Sequence, residues 1–132
     1  NVLSTINKMK NNGKLVTVIG CGGDRDKGKR PIMAKIAYDM SDTVILTADN
    51  PRSENVQDIL ADMQTGLPEN FKEKVFIIVD RHTAIQKACE LAESGDYIAL
   101  LGKGHENYQE INGTKTHFDD SEELKNCFEK IG

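Results

Sequence analysis

Apolar residues follow two alternating patterns along this chain, short continuous runs and longer stretches with helical spacing. The continuous runs predict buried strands at residues 15–19, 43–47, 75–79 and 97–101. Between the runs, apolar residues recur at i, i+3, i+4 and i+7, which predicts amphipathic helices; the clearest case is Val56, Ile59, Leu60 and Met63. Near the C-terminus, Asn112-Gly113 is predicted to join residues 108–111 and 114–118 as a hairpin.

This alternation predicts an α/β fold class. Strands linked through helices pair in parallel, so we expect a Rossmann-like, doubly wound, mainly parallel sheet with flanking helices and a C-terminal β-hairpin. Several residues are candidates for helix starts. They are Pro31 at a first helical position, Ser53 as an N-cap, Thr83 with Gln86 as a capping box, and Asp120 before the last helix.

Composition narrows the class of protein. The 132 residues suffice for one domain, and 38% hydrophobic with 29% charged residues is ordinary for a globular protein. A net charge of −4 argues against a nucleic-acid partner. No apolar run approaches the roughly 20 residues of a membrane span, and the three widely spaced cysteines suggest neither zinc nor disulfides. We therefore expect a cytoplasmic protein without a membrane partner. Because the chain begins at Asn1 without Met, we also expect a fragment of something longer.

Right-handed crossovers place the strand-to-helix loops on one edge of the sheet, where α/β proteins bind ligands. These loops cover residues 20–30, 48–52, 80–82 and 102–107. The second contains Asp49-Asn50-Pro51-Arg52, directly after a predicted strand. A carboxylate accepts hydrogen bonds from an ammonium group, and an arginine fork binds a carboxylate. The pattern predicts a zwitterionic ligand, such as an amino acid.

The loop from Gly20 to Arg30 is rich in glycine and charge, and several interpretations compete. It begins like a dinucleotide-binding fingerprint, but Arg25 occupies the third glycine position. It also fits G-x-x-x-x-G-K from Gly23 to Lys29, but Arg30 follows where a P-loop needs Ser or Thr to hold magnesium. An anion-binding loop at a helix N-terminus and a glycine turn with solvated charges both remain open.

The segment Gly102-Lys103-Gly104-His105-Glu106 follows the last parallel strand. Its glycines allow close approach of a ligand, and Glu106 could accept from an ammonium group. We expect His105 to be structural more often than catalytic. The pair Asp80-Arg81 is expected only to end a strand and cap a helix.

Taken together, the motifs at residues 22–31, 49–52 and 102–106 resemble the C-terminal domain of the Mur ligase family, in its diaminopimelate-adding branch. The resemblance runs from about Lys14 to the C-terminus; a departure is Ser121, where relatives often have Arg. It implies that residues 1–132 form the amino-acid-binding domain of a three-domain enzyme. The other two domains would bind the UDP-sugar, ATP and Mg²⁺.

The resemblance also implies an activity in peptidoglycan precursor assembly. ATP phosphorylates the D-glutamate carboxylate of a UDP-N-acetylmuramoyl dipeptide, and an amine of meso-diaminopimelate attacks the acyl phosphate to form an amide. This domain would contain no catalytic and no metal-binding residue and would be inactive alone. The alternatives are a ligase that adds L-lysine, which lacks the distal carboxylate that Arg52 would bind, and a non-catalytic nucleotide- or anion-binding module.

By the same resemblance, two groups of residues would contact ligands. Those expected to bind diaminopimelate are Arg25, Asp49, Asn50, Pro51, Arg52, Gly102 and Glu106. Those expected to face nucleotide phosphates are Asp26, Lys27, Lys29 and Arg30.

Overall fold

The computed structural model describes residues 2–9, 12–103 and 106–131. Gly104 and His105, which belong to the third motif, lie outside the described residues. The described chain alternates helices and strands in the predicted order, and none of its helices has the length and apolarity needed to cross a membrane. The elements are α1 (Val2–Met9), β1 (Leu15–Cys21), α2 (Lys29–Met40), β2 (Thr43–Ala48), α3 (Val56–Gln64), a 3-10 turn (Phe71–Glu73), β3 (Val75–Ile77), α4 (Arg81–Leu91), β4 (Tyr97–Leu101), β5 (Tyr108–Ile111), β6 (Thr114–His117) and α5 (Asp120–Ile131).

The first four strands form a parallel sheet in the order β3-β2-β1-β4. From β1 the chain winds outward through β2 to β3, then returns to the other side of β1 to form β4. The direction of winding therefore reverses between β1 and β4, which is where doubly wound sheets open a ligand crevice. β5 and β6 pair separately as an antiparallel hairpin. The predicted fold class is confirmed. Relative to the predicted bounds, β3 ends two residues earlier, the hairpin ends one residue earlier, and β1 and β2 are longer by two residues and one residue.

Side-chain alternation in the central strands divides the core of the described chain between the two faces of the sheet. Leu15 and Ile19 of β1 pack on one face with α1, α2 and α3. Val16 and Val18 pack on the other face with α4 and α5. Leu15 and Val18 are fully buried, and each such burial contributes about 1.5–3 kcal/mol relative to exposure. Burial on both faces explains why β1 is a continuous apolar run rather than an alternating one.

The helix starts differ in part from the sequence predictions. α2 begins two residues before Pro31, which lies within the first turn, where its missing N–H has no helical acceptor in any case. α3 is capped by Asn55 and not by Ser53, so that prediction was wrong. α4 is capped by Asp80, which accepts from the backbone N–H of Thr83, so the Thr83 capping box was also wrong. Each true cap has a carboxylate or amide oxygen within reach of a free N–H of the first turn.

Candidate functional site

The loops after β1 and β4 touch at the point where the winding reverses. Gly102 has a φ of +106°, and a Cβ built on it would lie 2.1 Å from the carbonyl oxygen of Gly20. A residue with a side chain would therefore be strained and would also collide with the neighbouring strand end. Gly102 is needed here to bring the two loops together.

The predicted hairpin holds the loop that contains Asp49, Asn50 and Arg52. The backbone N–H of Glu110 donates to Oδ1 of Asn50 (2.8 Å), and the Gln109 amide donates to the Asp49 carbonyl (2.9 Å). The N–H of Arg52 donates to the Glu110 carbonyl (3.0 Å). The hairpin is thus a support for the loop, a role that the sequence did not indicate.

Asn50 and Glu106 face each other across the site. Oδ1 of Asn50 accepts from the Glu110 N–H and lies 3.3 Å from Nζ of Lys103, so both of its neighbours are donors. The amide nitrogen must then point the other way, where it donates to Oε1 of Glu106 (2.9 Å). Oε2 of Glu106 lies 4.0 Å from Nη2 of Arg52. The structure therefore brings together three of the predicted ligand-contacting residues.

Arg52 adopts a left-handed backbone conformation with φ of +53°, which is strained for a residue with a side chain. Its Nη1 donates to the carbonyl oxygen of Gly23 (3.0 Å). A Cβ built on Gly22 would lie 2.9 Å from Nη1 of Arg52, 3.4 Å from Cγ of Arg25 and 4.0 Å from Oδ2 of Asp49. These three predicted residues converge around Gly22, with Arg25 exposed at the rim.

Lys103 is a buried cation of this site that the sequence analysis did not assign. Its side chain is fully buried, and Nζ lies 3.4 Å from Oδ1 of Asp49. Burial lowers the pKa of the Lys103 ammonium, and the Asp49 charge opposes that change. Burial likewise raises the pKa of Asp49, against the opposing charges of Lys103 and Arg81. The available signal was a lysine two residues after a strand that ends on the same sheet edge as Asp49.

Arg81 does more than start a helix. It is fully buried, and its guanidinium donates to the carbonyl oxygens of Ala48 (3.0 Å) and Leu101 (3.3 Å). It also pairs with both carboxylate oxygens of Asp120 at 2.8 and 2.7 Å. Arg81 therefore ties the ends of β2 and β4 to the start of α5. The expectation that it only ends a strand and caps a helix was too narrow.

Arg30 points inward and not toward the open edge. It is 1% exposed, and its guanidinium donates to Glu54 (2.7 Å), to Asp62 (2.9 Å) and to the carbonyl oxygen of Gly22 (3.0 Å). The pKa of Glu54 is lowered to about 2 by the Arg30 hydrogen bond and by the backbone N–H of Asp24. The predicted orientation of Arg30 toward phosphates does not agree with this geometry, because two carboxylates already neutralise it.

The other residues expected near phosphates are exposed. Asp26, Lys27 and Lys29 surround the start of α2, and Nζ of Lys27 lies 3.7 Å from Glu54 while its side chain remains 71% exposed. A depression of about 260 Å³ between this loop and Gly102 has Asp26 and Lys29 in its wall. Asp26 and Lys29 can therefore contact a ligand in that depression.

Cys21 lies beside the same depression but is 6% exposed. Burial raises the pKa of its thiol to about 11, so the thiol is protonated at neutral pH and is a poor nucleophile. Within the described residues, no group of three or more His, Cys, Asp and Glu side chains could hold a metal ion. Asp49 and Glu106, which can accept from an ammonium group, lie on this edge beside Arg25 and Arg52, which can donate to a carboxylate.

Comparison with known proteins gives the same family as the motifs. The family model for the Mur ligase, glutamate ligase domain, matches residues 1–104. A protein of Bacteroides fragilis named UDP-N-acetylmuramoyl-L-alanyl-D-glutamate–2,6-diaminopimelate ligase is 57% identical over 129 residues, which is 97% of this chain and 27% of that protein. A protein of the same name from Aquifex aeolicus is 50% identical over 125 residues, which is 95% of this chain and 25% of that protein.

A solved structure of a ligase with this name superposes with a TM-score of 0.91 at 45% identity, covering 98% of this chain and 26% of that one. The chain thus spans about a quarter of the length of the relatives that it matches. Because the family model covers most of the chain and agrees with both the motifs and the fold, the chain belongs to the Mur ligase family, within its glutamate ligase domain.

Proposed function

We propose that this chain is the amino-acid-binding domain of an ATP-dependent ligase that adds meso-diaminopimelate to UDP-N-acetylmuramoyl-L-alanyl-D-glutamate. The observation that carries the proposal is the convergence of Arg52, Asp49 and Glu106 on one edge of the sheet, with Arg52 Nη2 and Glu106 Oε2 4.0 Å apart. The names of the relatives support the choice of reaction.

The site has separate groups for the two charges of an amino-acid centre. Nη1 of Arg52 is held by the Gly23 carbonyl, while Nη2 is 4.0 Å from Glu106, beyond hydrogen-bond distance. Nη2 can therefore donate to a ligand carboxylate, assisted by Arg25 from the rim. The ligand ammonium group would lie between Asp49 and Glu106, each of which supplies a carboxylate oxygen.

Holding one end of meso-diaminopimelate leaves the amine at its other end to react. The two amino-acid centres carry the same groups, so the site must bind the distal centre and present the other amine toward the acyl phosphate. Orienting the nucleophile in this way lowers the entropic part of the barrier. The residues of this chain would therefore act by positioning, while the phosphoryl chemistry belongs to regions outside it.

L-Lysine lacks the distal carboxylate. Binding it would leave Arg52, whose side chain is 14% exposed, without its anionic partner. Leaving one member of a desolvated charge pair unpaired costs about 2–5 kcal/mol, which corresponds to at least roughly 30-fold in specificity. Diaminopimelate is for this reason the proposed substrate.

ATP and Mg²⁺ would be bound mainly outside this chain, as would the UDP-linked dipeptide. Asp26, Lys27 and Lys29 are the residues here that would face nucleotide phosphates, because they are exposed at the start of α2. The reaction would take place in the cytoplasm, where ATP is available and where the free cysteines of the described chain would stay reduced.

The test is substitution in the complete gene product that contains this chain. Arg52→Ala should raise the KM for meso-diaminopimelate by roughly 30-fold or more, while the KM for the UDP-linked dipeptide changes less than about threefold. Lys35→Ala is the matched control, because Lys35 is an exposed cation paired only with Asp39 among the described residues. Equal losses for both substrates would contradict the proposal.

Two further measurements separate the alternatives. Competition between meso-diaminopimelate and L-lysine decides which amino acid is added. A turnover assay on residues 1–132 alone should give no amide, since the acyl phosphate would be formed elsewhere. A complete gene product that binds nucleotide but forms no amide with either amino acid would indicate a non-catalytic binding module.

A further inference from the structure

Lys103 lies at the centre of the charged edge, and we propose that it is a positioning residue for the amino-acid substrate. It fixes the Asp49 carboxylate in the orientation that would bind the ligand, and the Asn50 amide in the orientation that holds Glu106. This inference rests on the proposed function and assigns to Lys103 a part in the specificity of that site.

The backbone and surroundings of Lys103 restrict its side chain. The preceding residue, Gly102, is held against Gly20 by a contact that excludes any Cβ. The side chain is fully buried, and Nζ lies 5.5 Å from the centroid of the Phe118 ring. Lys103 is therefore too deeply placed to contact a ligand at the edge directly, and its polar neighbours are the loop side chains themselves.

The two oxygens of Asp49 have different environments. Oδ1 is 3.4 Å from Nζ of Lys103, whereas Oδ2 lies 4.0 Å from the position of a Cβ on Gly22, on the side where Arg25 and Arg52 converge. Lys103 thus engages one oxygen from inside and leaves the other for the ammonium group of a ligand. A carboxylate on a side chain that is only 6% exposed needs such a partner to remain ionised.

Lys103 also contributes to the orientation of Asn50. An asparagine side chain can rotate by 180° and exchange its oxygen and nitrogen. Nζ of Lys103 and the N–H of Glu110 are both donors directed at Oδ1, at 3.3 and 2.8 Å. Together they exclude the rotated form and keep the amide nitrogen on the side of Glu106.

Neighbouring charges do not duplicate this role. Arg81 of α4 and Asp120 of α5 both act on the buried pair, but they are paired with each other at 2.7 Å. Glu106 is an anion and adds to the repulsion around Asp49. Within the described chain, Lys103 is the cation whose Nζ directly contacts Asp49.

The decisive variant is Lys103→Met in the complete enzyme, which keeps an unbranched side chain one atom shorter and removes the charge. The KM for meso-diaminopimelate should rise by about tenfold or more, while the KM values for ATP and the UDP-linked dipeptide change less than about twofold. The acidic limb of kcat/KM for the amino acid should also move to higher pH, because Asp49 loses the cation that favours its ionised form. The variant Asp49→Asn shows whether Asp49 produces that limb, because the limb should be absent when the titrating carboxylate is removed.

Lys103→Met leaves Asp49 as an unpaired buried charge, which could prevent folding. A second variant tests the inference in that event. Lys103→Met combined with Asp49→Asn has no such charge. Its KM for the amino acid should lie within about threefold of that of Asp49→Asn alone, because the lysine acts mainly through the carboxylate that both variants lack. A double variant more than about tenfold worse would overturn the inference.

The outcomes also separate this inference from the proposed function. Wild-type enzyme that does not add meso-diaminopimelate contradicts the proposed function. If the wild type adds it, and Lys103→Met changes thermal stability but neither the amino-acid KM nor the acidic limb, then Lys103 is structural only and the inference is wrong.

Discussion

Gly23 is the position at which the loop after β1 meets the loop after β2, and its replacement by alanine tests how the site is assembled. A Cβ on Gly23 would lie 1.8 Å from the carbonyl oxygen of Pro51, whereas ordinary contact begins at 3.4 Å. The loops would have to separate by about 1.6 Å, the difference between these distances. The N–H of Gly23 donates to the Asn50 carbonyl at 2.8 Å, and its carbonyl accepts from Arg52 at 3.0 Å. Both bonds would exceed hydrogen-bond distance after such a movement.

The expected cost follows from those two bonds. A neutral hydrogen bond contributes about 0.5–1.5 kcal/mol and one to a charged group about 1.5–3 kcal/mol, so Gly23→Ala should lower the free energy of unfolding by about 2–4.5 kcal/mol. Gly28→Ala is the matched control in the same loop. Gly28 has helical φ and ψ of −65° and −23°, and its built Cβ meets only the tip of Asp26 at 3.2 Å. That change should alter stability by less than about 1 kcal/mol.

Denaturant unfolding of the 132-residue chain and both variants measures the difference directly. In the complete enzyme, Gly23→Ala should also raise the KM for the amino acid, because Arg52 loses the carbonyl that holds Nη1. If the two alanine variants differ by less than about 0.5 kcal/mol, the loops are not packed as tightly as this geometry requires and the reasoning fails.

Three further predictions concern the pH dependence of stability, the reactivity of thiols and a steric collision at a glycine. The pKa of Glu54 is about 2 against an ordinary 4.5, so its contribution to stability is present above pH 4.5 and lost as the pH falls toward 2. The difference in unfolding free energy between wild type and Glu54→Gln should therefore shrink over that range. A difference that stays constant would contradict this prediction. Burial raises the thiol pKa of Cys21 to about 11 and of Cys89 to about 12. Neither thiol should therefore react when the folded chain is treated with an alkylating reagent at pH 8, and mass spectrometry should detect alkylation of both only after denaturant is added. Gly102 and Gly95 both have positive φ, but a Cβ meets nothing within 4 Å at Gly95; Gly102→Ala should therefore be about 1–3 kcal/mol more destabilising than Gly95→Ala, and equal unfolding midpoints would argue against the collision.

The fold class could be predicted because β1 and β2 are buried on both faces. Such strands have no polar side to interrupt the apolar run, so their positions are visible in the sequence alone. The caps of α3 and α4 could not be chosen reliably, because Ser53 and Asn55, or Asp80 and Thr83, are all chemically able to cap. The backbone angles decide between them, and these depend on how the loop packs.

The residues of the candidate site also fall into a group that could be predicted from the sequence and a group that could not. Asp49, Arg52 and Glu106 could be placed together because each follows a parallel strand, and parallel strands end at one edge. The inward direction of Arg30 and Lys103 could not be predicted. Their carboxylate partners lie 24 to 54 residues away, and a charged residue beside glycines is exposed more often than buried.

The arrangement of cations suggests how the site gains specificity. Of the cations that the structure describes, Arg30, Arg81 and Lys103 are buried, and each binds a carbonyl or carboxylate of a loop that reaches the edge. Burying such charges costs desolvation energy, so they are a poor means of gaining stability alone. Their effect is to fix the loops from which Arg25 and Arg52 project before any ligand arrives. A preorganised site loses less entropy on binding. When a ligand lacks a carboxylate, the side chains of such a site also cannot rearrange to find another partner. Under the proposed function, rejection of a ligand that lacks one charge would therefore depend on the buried cations as well as on the residues that touch the ligand.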